Sequence, residues 1–148
     1  MALIDLITTD VIKVPLTSTD KTGTLRELAE LLHSAGKIPD PEPIIDALQK
    51  REALGSTGLE SGIAVPHCKT SAVKSLTIAI GISPKGIDFD ALDGEASSLF
   101  FCILAPPDQS GPHIEALSEI ARLARSQSFC RVLKSSNTPD EVIELFRD

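Results

Sequence analysis

The sequence predicts a single α/β domain in which helices cover a β-sheet. Amphipathic helical patterns precede, interrupt and follow short apolar runs of strand character. The chain, at 148 residues, has the length of one compact domain with one core. Its 42% hydrophobic and 24% charged residues match an ordinary globular protein.

Taken in order, Thr17-Ser18-Thr19-Asp20 is a polar turn, and Thr24-Leu25-Arg26-Glu27 reads as a capping box. Leu25, Leu28, Ala29, Leu31 and Leu32 recur at helical spacing until Gly36 stops the pattern. Pro39, Pro41 and Pro43 punctuate a connection. Ile44, Ile45, Leu48 and Leu54 then mark a second helix with Arg51 near its end. Gly55-Ser56-Thr57-Gly58 breaks that helix. Gly62-Ile63-Ala64-Val65 has the apolar, β-branched character of a buried strand, and Pro66 is expected to end its regular pairing.

Residues 76–82 and 98–104 are further strands. Between them come a turn at Ser83-Pro84-Lys85-Gly86, a short edge strand at 87–89 and a polar excursion to Gly94. Ser110 reads as a helix cap with Pro112 in the first turn, followed by a buried stripe of Ile114, Leu117, Ile120, Ala121 and Ala124. A short helix covers 128–133. Thr138-Pro139-Asp140-Glu141 combines a cap, a first-turn proline and a capping-box acid at the start of the last helix.

Composition excludes several functions. With a net charge of -7 and no Trp or Tyr, the chain offers neither the basic surface nor the aromatic platforms that nucleic acid requires. The N-terminal residues show no signal-peptide pattern, and no apolar run is long enough to insert in a membrane. The three cysteines, Cys68, Cys102 and Cys130, lie far apart and form no disulfide framework or metal knuckle, which points to a reducing cytoplasm.

The three histidines have different settings. His33 lies near a helix end, where it interacts with the dipole. His67 follows a strand and a proline, at the kind of strand end where α/β proteins gather ligand-binding residues. Spacing alone equally allows a histidine that merely bonds a backbone carbonyl. His113 lies in the first turn of a helix, where amide donors favour an anion; spacing alone also allows a solvated side chain. Cys68 follows His67, but neighbours on an extended chain point opposite ways, so it reads as core. Asp88, Asp90, Asp93 and Glu95 lack a calcium-loop spacing and read as a solvated loop. Lys69 and Lys74 could dock a phosphate or partner, although surface lysines usually do neither.

Arg51-Glu52, Ser56-Thr57-Gly58 and Gly62-Ile63-Ala64-Val65-Pro66-His67 stand in the order of a known signature. Gly86-Ile87-Asp88-Phe89, Asp93-Gly94, residues 100–106 and His113-Ile114-Glu115-Ala116-Leu117-Ser118-Glu119-Ile120-Ala121 extend the match over nearly the whole chain. Together they resemble phosphotransferase-system enzyme IIA proteins of the fructose, mannitol and nitrogen-regulatory type. The resemblance implies one domain over 1–148, with a mixed, mostly parallel sheet of about five strands and helices on both faces. It also implies that His67 accepts a phosphoryl group from the carrier protein HPr. Arg51 would then help hold that group, His113 would be the second histidine of the site, and Thr57, matched to the family's threonine in the loop before the strand, would contact phosphate. Glu60-Ser61 stands where many members have Gly-Asn, which adds a negative charge near the site.

The chemistry is consistent with those roles. A histidine of ordinary pKa, about 6.5, is largely neutral in the cytoplasm and keeps a lone pair on one ring nitrogen. Phosphoryl transfer needs mainly positioning and positive charge around the equatorial oxygens. An arginine supplies a planar double donor, and a neutral histidine adds a further donor. No cofactor or metal is required between two proteins that exchange the group directly. The expected outcome is a cytoplasmic phosphocarrier that passes phosphate to a IIB partner for sugar uptake, or whose phosphorylation state is read by a regulatory target. The alternative is a non-catalytic module of the same fold that regulates a protein partner.

Overall fold

The computed structural model describes residues 3–147; Met1, Ala2 and Asp148, the ends of the expected 1–148 domain, lie outside the described residues. Two 3₁₀ turns, Leu3–Leu6 and Thr9–Val11, lead into β1 (Ile12–Lys13), α1 (Lys21–Ser34) and α2 (Pro41–Ala53). Four strands follow: β2 (Ile63–Ala64), β3 (His67–Lys69), β4 (Thr77–Ile87) and β5 (Ser97–Ala105). The chain closes with α3 (Ser110–Ala124), α4 (Gln127–Lys134) and α5 (Pro139–Arg147).

The expected mixed, mostly parallel, five-stranded sheet is present, in the order β1-β4-β5-β2 with β3 also beside β5. Only β4 and β5 run antiparallel to each other. Every residue of β5 is buried, and its side chains alternate between two cores. Phe100, Cys102 and Leu104 pack with α1 and α2, including Leu28, Leu32, Ile44 and Leu48. Leu99, Phe101 and Ile103 pack with α3, α4 and α5, including Ile120, Leu133 and Val142. Each of these large apolar side chains contributes about 1.5–3 kcal/mol on leaving water.

Several local expectations are corrected. α1 begins at Lys21, one turn earlier than the Thr24 box, because Asp20 caps it by accepting from the Gly23 amide at 2.7 Å. Glu27 points out of the helix and gathers the amides and hydroxyls of Thr17 and Ser18. Ser83–Gly86 is no turn: β4 runs through it to Ile87, with a bulge between Ile82 and Ile87. The expected edge strand at 87–89 is therefore only the end of β4. Leu54 is exposed, since α2 ends at Ala53. Ser110 is the first residue of α3 rather than its cap, which is Gln109. The buried stripe of α3 is His113, Ala116 and Ile120; Ile114 and Ala121 face outward, one position round from the predicted face.

Pro66 interrupts pairing but does not end it. His67 faces Ile103 in the same register in which Ile63 faces Leu99, so β2 and β3 are one edge strand broken at Val65-Pro66. The Pro66 nitrogen faces β5, as its carbonyl does, so the ladder bond it cannot donate is the gap that separates β2 from β3. Pro66 still accepts from the Ile103 amide at 2.9 Å.

Candidate functional site

Strand alternation sets the site. Ile63 and Val65 face the α3–α5 core, and Ala64 and Cys68 face the α1–α2 core. His67 therefore shares the face of Ile63 and Val65, towards α3. There its ring meets His113 edge-on, with centroids 5.3 Å apart and planes at 72°. Cys68 lies on the opposite face, buried, and burial pushes its thiol pKa up to about 11. His67, Cys68 and His113 are thus not a joint constellation.

His67 is half-buried, and its Nδ1 lies 2.7 Å from the Val65 carbonyl oxygen. A carbonyl only accepts, so Nδ1 carries the proton and Nε2 the lone pair. His113 is 6% exposed, and its Nε2 is buried without a protein partner. Burial, and then repulsion from His67 when that ring is protonated and from Lys69, lower its pKa from the ordinary histidine value. It is consequently neutral near pH 7.

Arg51 lies in the last turn of α2, where its Nη1 donates to the Gly55 carbonyl at 2.9 Å. Among the described residues it forms no ion pair with a carboxylate, so its charge is not neutralised by one. Thr57 is buried. Both its amide, at 3.0 Å, and its hydroxyl donate to the Glu52 carboxylate. Its carbonyl accepts from the Val65 amide at 3.0 Å. The hydroxyl must leave Glu52 before it can donate to a phosphoryl oxygen.

One named candidate gains a definite place, and one feature escaped the sequence reading. Lys69, two residues beyond His67 and so on the same face, donates to Ser110 at the start of α3 at 3.0 Å. Val65 contributes only its backbone carbonyl, which no residue pattern reveals. Elsewhere, His33 lies in the last turn of α1 and meets the Ile38 carbonyl at 3.2 Å. Asp88, Asp90, Asp93 and Glu95 are exposed, with local bonds from the Asp90 and Glu95 amides. A partly open cavity of about 150 Å³ lies beside α3, lined among others by Leu3, Leu76, Glu115 and Ala116 and by none of the site residues.

Residues 5–148 match the family model described as phosphoenolpyruvate-dependent sugar phosphotransferase system, EIIA 2. The chain belongs to this family. Its members are phosphate-carrying components of that system. The fructose-specific EIIABC component of Bacillus subtilis is 34% identical over 145 residues, 98% of this chain but 23% of the relative, so the chain spans under a quarter of that protein. The nitrogen regulatory protein of Pseudomonas aeruginosa is 35% identical over 130 residues, covering 86% of this chain and 83% of the relative. The crystal structure of nitrogen regulatory protein IIA-Ntr from Neisseria meningitidis superposes with a TM-score of 0.89 at 29% identity, covering 97% of both chains. No helix among the described residues is long and apolar enough to cross a membrane.

Proposed function

We propose that the chain is a cytoplasmic phosphocarrier that takes a phosphoryl group from phospho-HPr onto Nε2 of His67. One observation carries this reading. The bond from Nδ1 to Val65 leaves the Nε2 lone pair free, beside a buried His113 nitrogen that has no protein partner. Nε2 attacks phosphorus in line. The donor's bond to phosphorus breaks as the new N–P bond forms, and the electron pair returns to the donor atom.

Positive charge then develops over the His67 ring, and the Val65 carbonyl stabilises it by accepting from Nδ1–H. A carbonyl does this less strongly than a carboxylate, which suits a group that must leave again. Neutral His113 donates to one phosphoryl oxygen, and Arg51 swings from Gly55 to bridge two. Thr57 shapes the loop and offers a phosphate contact once its hydroxyl leaves Glu52. The group then passes to a IIB protein for sugar uptake, or stays as a mark read by a regulatory target.

Incubation with phosphoenolpyruvate, enzyme I and HPr should produce an acid-labile, base-stable phosphate that is absent from His67→Ala. Label that persists in His67→Ala, or no label on the wild type, refutes the reading. Partner capture that is indifferent to His67→Asp would favour a binding module without transfer.

A further inference from the structure

We propose that Glu52 is a positioning residue for His67, acting through Thr57 and the backbone of Val65; this rests on the phosphocarrier reading for its functional consequence. Glu52 is 9% exposed in a helix end that otherwise faces water. Both of its carboxylate oxygens are engaged. Oε1 accepts from the Thr57 amide and pairs with Lys21 Nζ at 3.0 Å, and Oε2 accepts from the Thr57 hydroxyl. A buried carboxylate is tolerated only with such compensation. Lys21 comes from the first turn of α1, lies 4.8 Å from the Phe89 ring centroid and approaches Asp90 at 3.6 Å. The pair therefore ties the starts of α1 and of the Gly55–Gly58 loop to the segment after β4.

What this anchor holds is next to the reacting ring. Thr57 offers its carbonyl to the Val65 amide, and the Val65 carbonyl accepts from His67 Nδ1. Val65 N–H and C=O both point away from β5, where no further strand pairs with them. The Val65 amide and carbonyl belong to successive peptide planes joined at the Val65 Cα; the Thr57 carbonyl fixes the first plane, and its loss lets the Val65 φ and ψ relax and weakens the bond that selects the His67 tautomer. Gly58 pairs with Ala64 in an isolated antiparallel bridge, and Leu59 N donates to Ile63 O at 2.7 Å, so the same loop lies along the whole outer edge of β2. Arg51 and Glu52 are neighbours in sequence, but consecutive helical residues point about 100° apart. One side chain stays available to an incoming anion while the other builds the wall behind it.

The test reads the tautomer directly, by long-range ¹H–¹⁵N spectra of unphosphorylated protein. Wild type should show His67 almost wholly as Nδ1–H. Glu52→Gln keeps the shape but removes the charge and one acceptor. It should move the tautomer ratio at least about tenfold towards Nε2–H and slow phosphorylation by about tenfold. Thr57→Val should act in the same direction. The double variant should be little worse than the stronger single one, because both lie on one path. If Glu52→Gln does not fold, Lys21→Met leaves the carboxylate in place without its counter-charge and should shift the tautomer in the same direction. A folded Glu52→Gln or Lys21→Met with the wild-type tautomer overturns the proposal, even if its rate falls. A wild type that takes no phosphate refutes the phosphocarrier reading alone, since the tautomer comparison needs no transfer.

Discussion

The pKa of His113 is lowered by burial, and then by repulsion from His67 when that ring is protonated and from Lys69. An unfolded chain binds a proton at this residue near pH 6.5, whereas the folded chain waits until a lower pH. Between those two values the unfolded state holds more protons, so His113 costs stability as pH falls through that interval. His113→Gln should flatten this part of the profile, read as urea midpoints from pH 7 downward. It retains a neutral donor, so transfer should survive within a few-fold, whereas His113→Ala should lose about tenfold to a hundredfold. Glu27 acts at lower pH. Burial would raise its pKa, but the Lys13 ion pair at 2.8 Å and the bonds from Ser18 and Thr17 outweigh that and hold it at about 2. Its stabilisation is present above the ordinary carboxylate value and is lost as pH falls from about 4.5 to about 2. Glu27→Gln should cost roughly 2 kcal/mol at pH 7, with half-exposed Lys13 screening part of the pair, and nearly nothing at pH 2.

The broken edge strand is the element on which the site depends, and its turn carries a local cost. Ser61 has φ 61° and Gly62 φ 77°, so a serine occupies a left-handed position that asparagine or glycine adopts more readily. Ser61→Asn should therefore raise stability by about 0.5 kcal/mol in denaturant titration without changing phosphorylation. Gly58→Ala should do the opposite. Its Cβ would lie 2.9 Å from the Ala91 Cα, a backbone atom with little room to yield, costing about 1–3 kcal/mol and displacing the Thr57 carbonyl from Val65. The elements themselves were legible where the pattern was long: β5 as a strand, the α1 stripe and the Thr138–Glu141 start of α5 follow from residue pattern, whereas helices on both faces of the sheet came from the family resemblance. Tertiary use of local signals was not legible. Glu27 matches a capping box yet serves Thr17 and Ser18, and the Ser83–Gly86 composition matches a turn yet forms a bulge. Similarly, Ile114 and His113 sit on adjacent helical faces, and only packing against the sheet decides that the histidine goes inside. The proximity of His67 and His113 was suggested by family resemblance and by nothing in either residue's own neighbourhood.

Across the whole molecule, the exposed apolar side chains are unevenly placed. Leu54, Leu92 and Ile114 are 86%, 74% and 62% exposed. Each belongs to a segment that builds the site: Leu54 follows the α2 turn of Arg51, Leu92 N donates to Gly58 O, and Ile114 adjoins His113. Leaving such side chains in water is costly for a protein that works alone, and it fits the proposed role of meeting protein donors at His67. In a chain of net charge -7, these side chains can bind a partner through apolar contact without relying on long-range attraction. Ile114→Glu and Leu54→Glu should each raise the KM for phospho-HPr by about tenfold while leaving kcat and Tm near wild type. Val132→Glu, on the 49%-exposed position of α4, should leave both constants unchanged. The split between constants is decisive because docking contacts are equally present in the encounter and the transition state, and so act on binding alone. A fall in kcat at constant KM would instead mean that Ile114 sets the chemistry of its neighbour His113, and that the donor approaches His67 from another side.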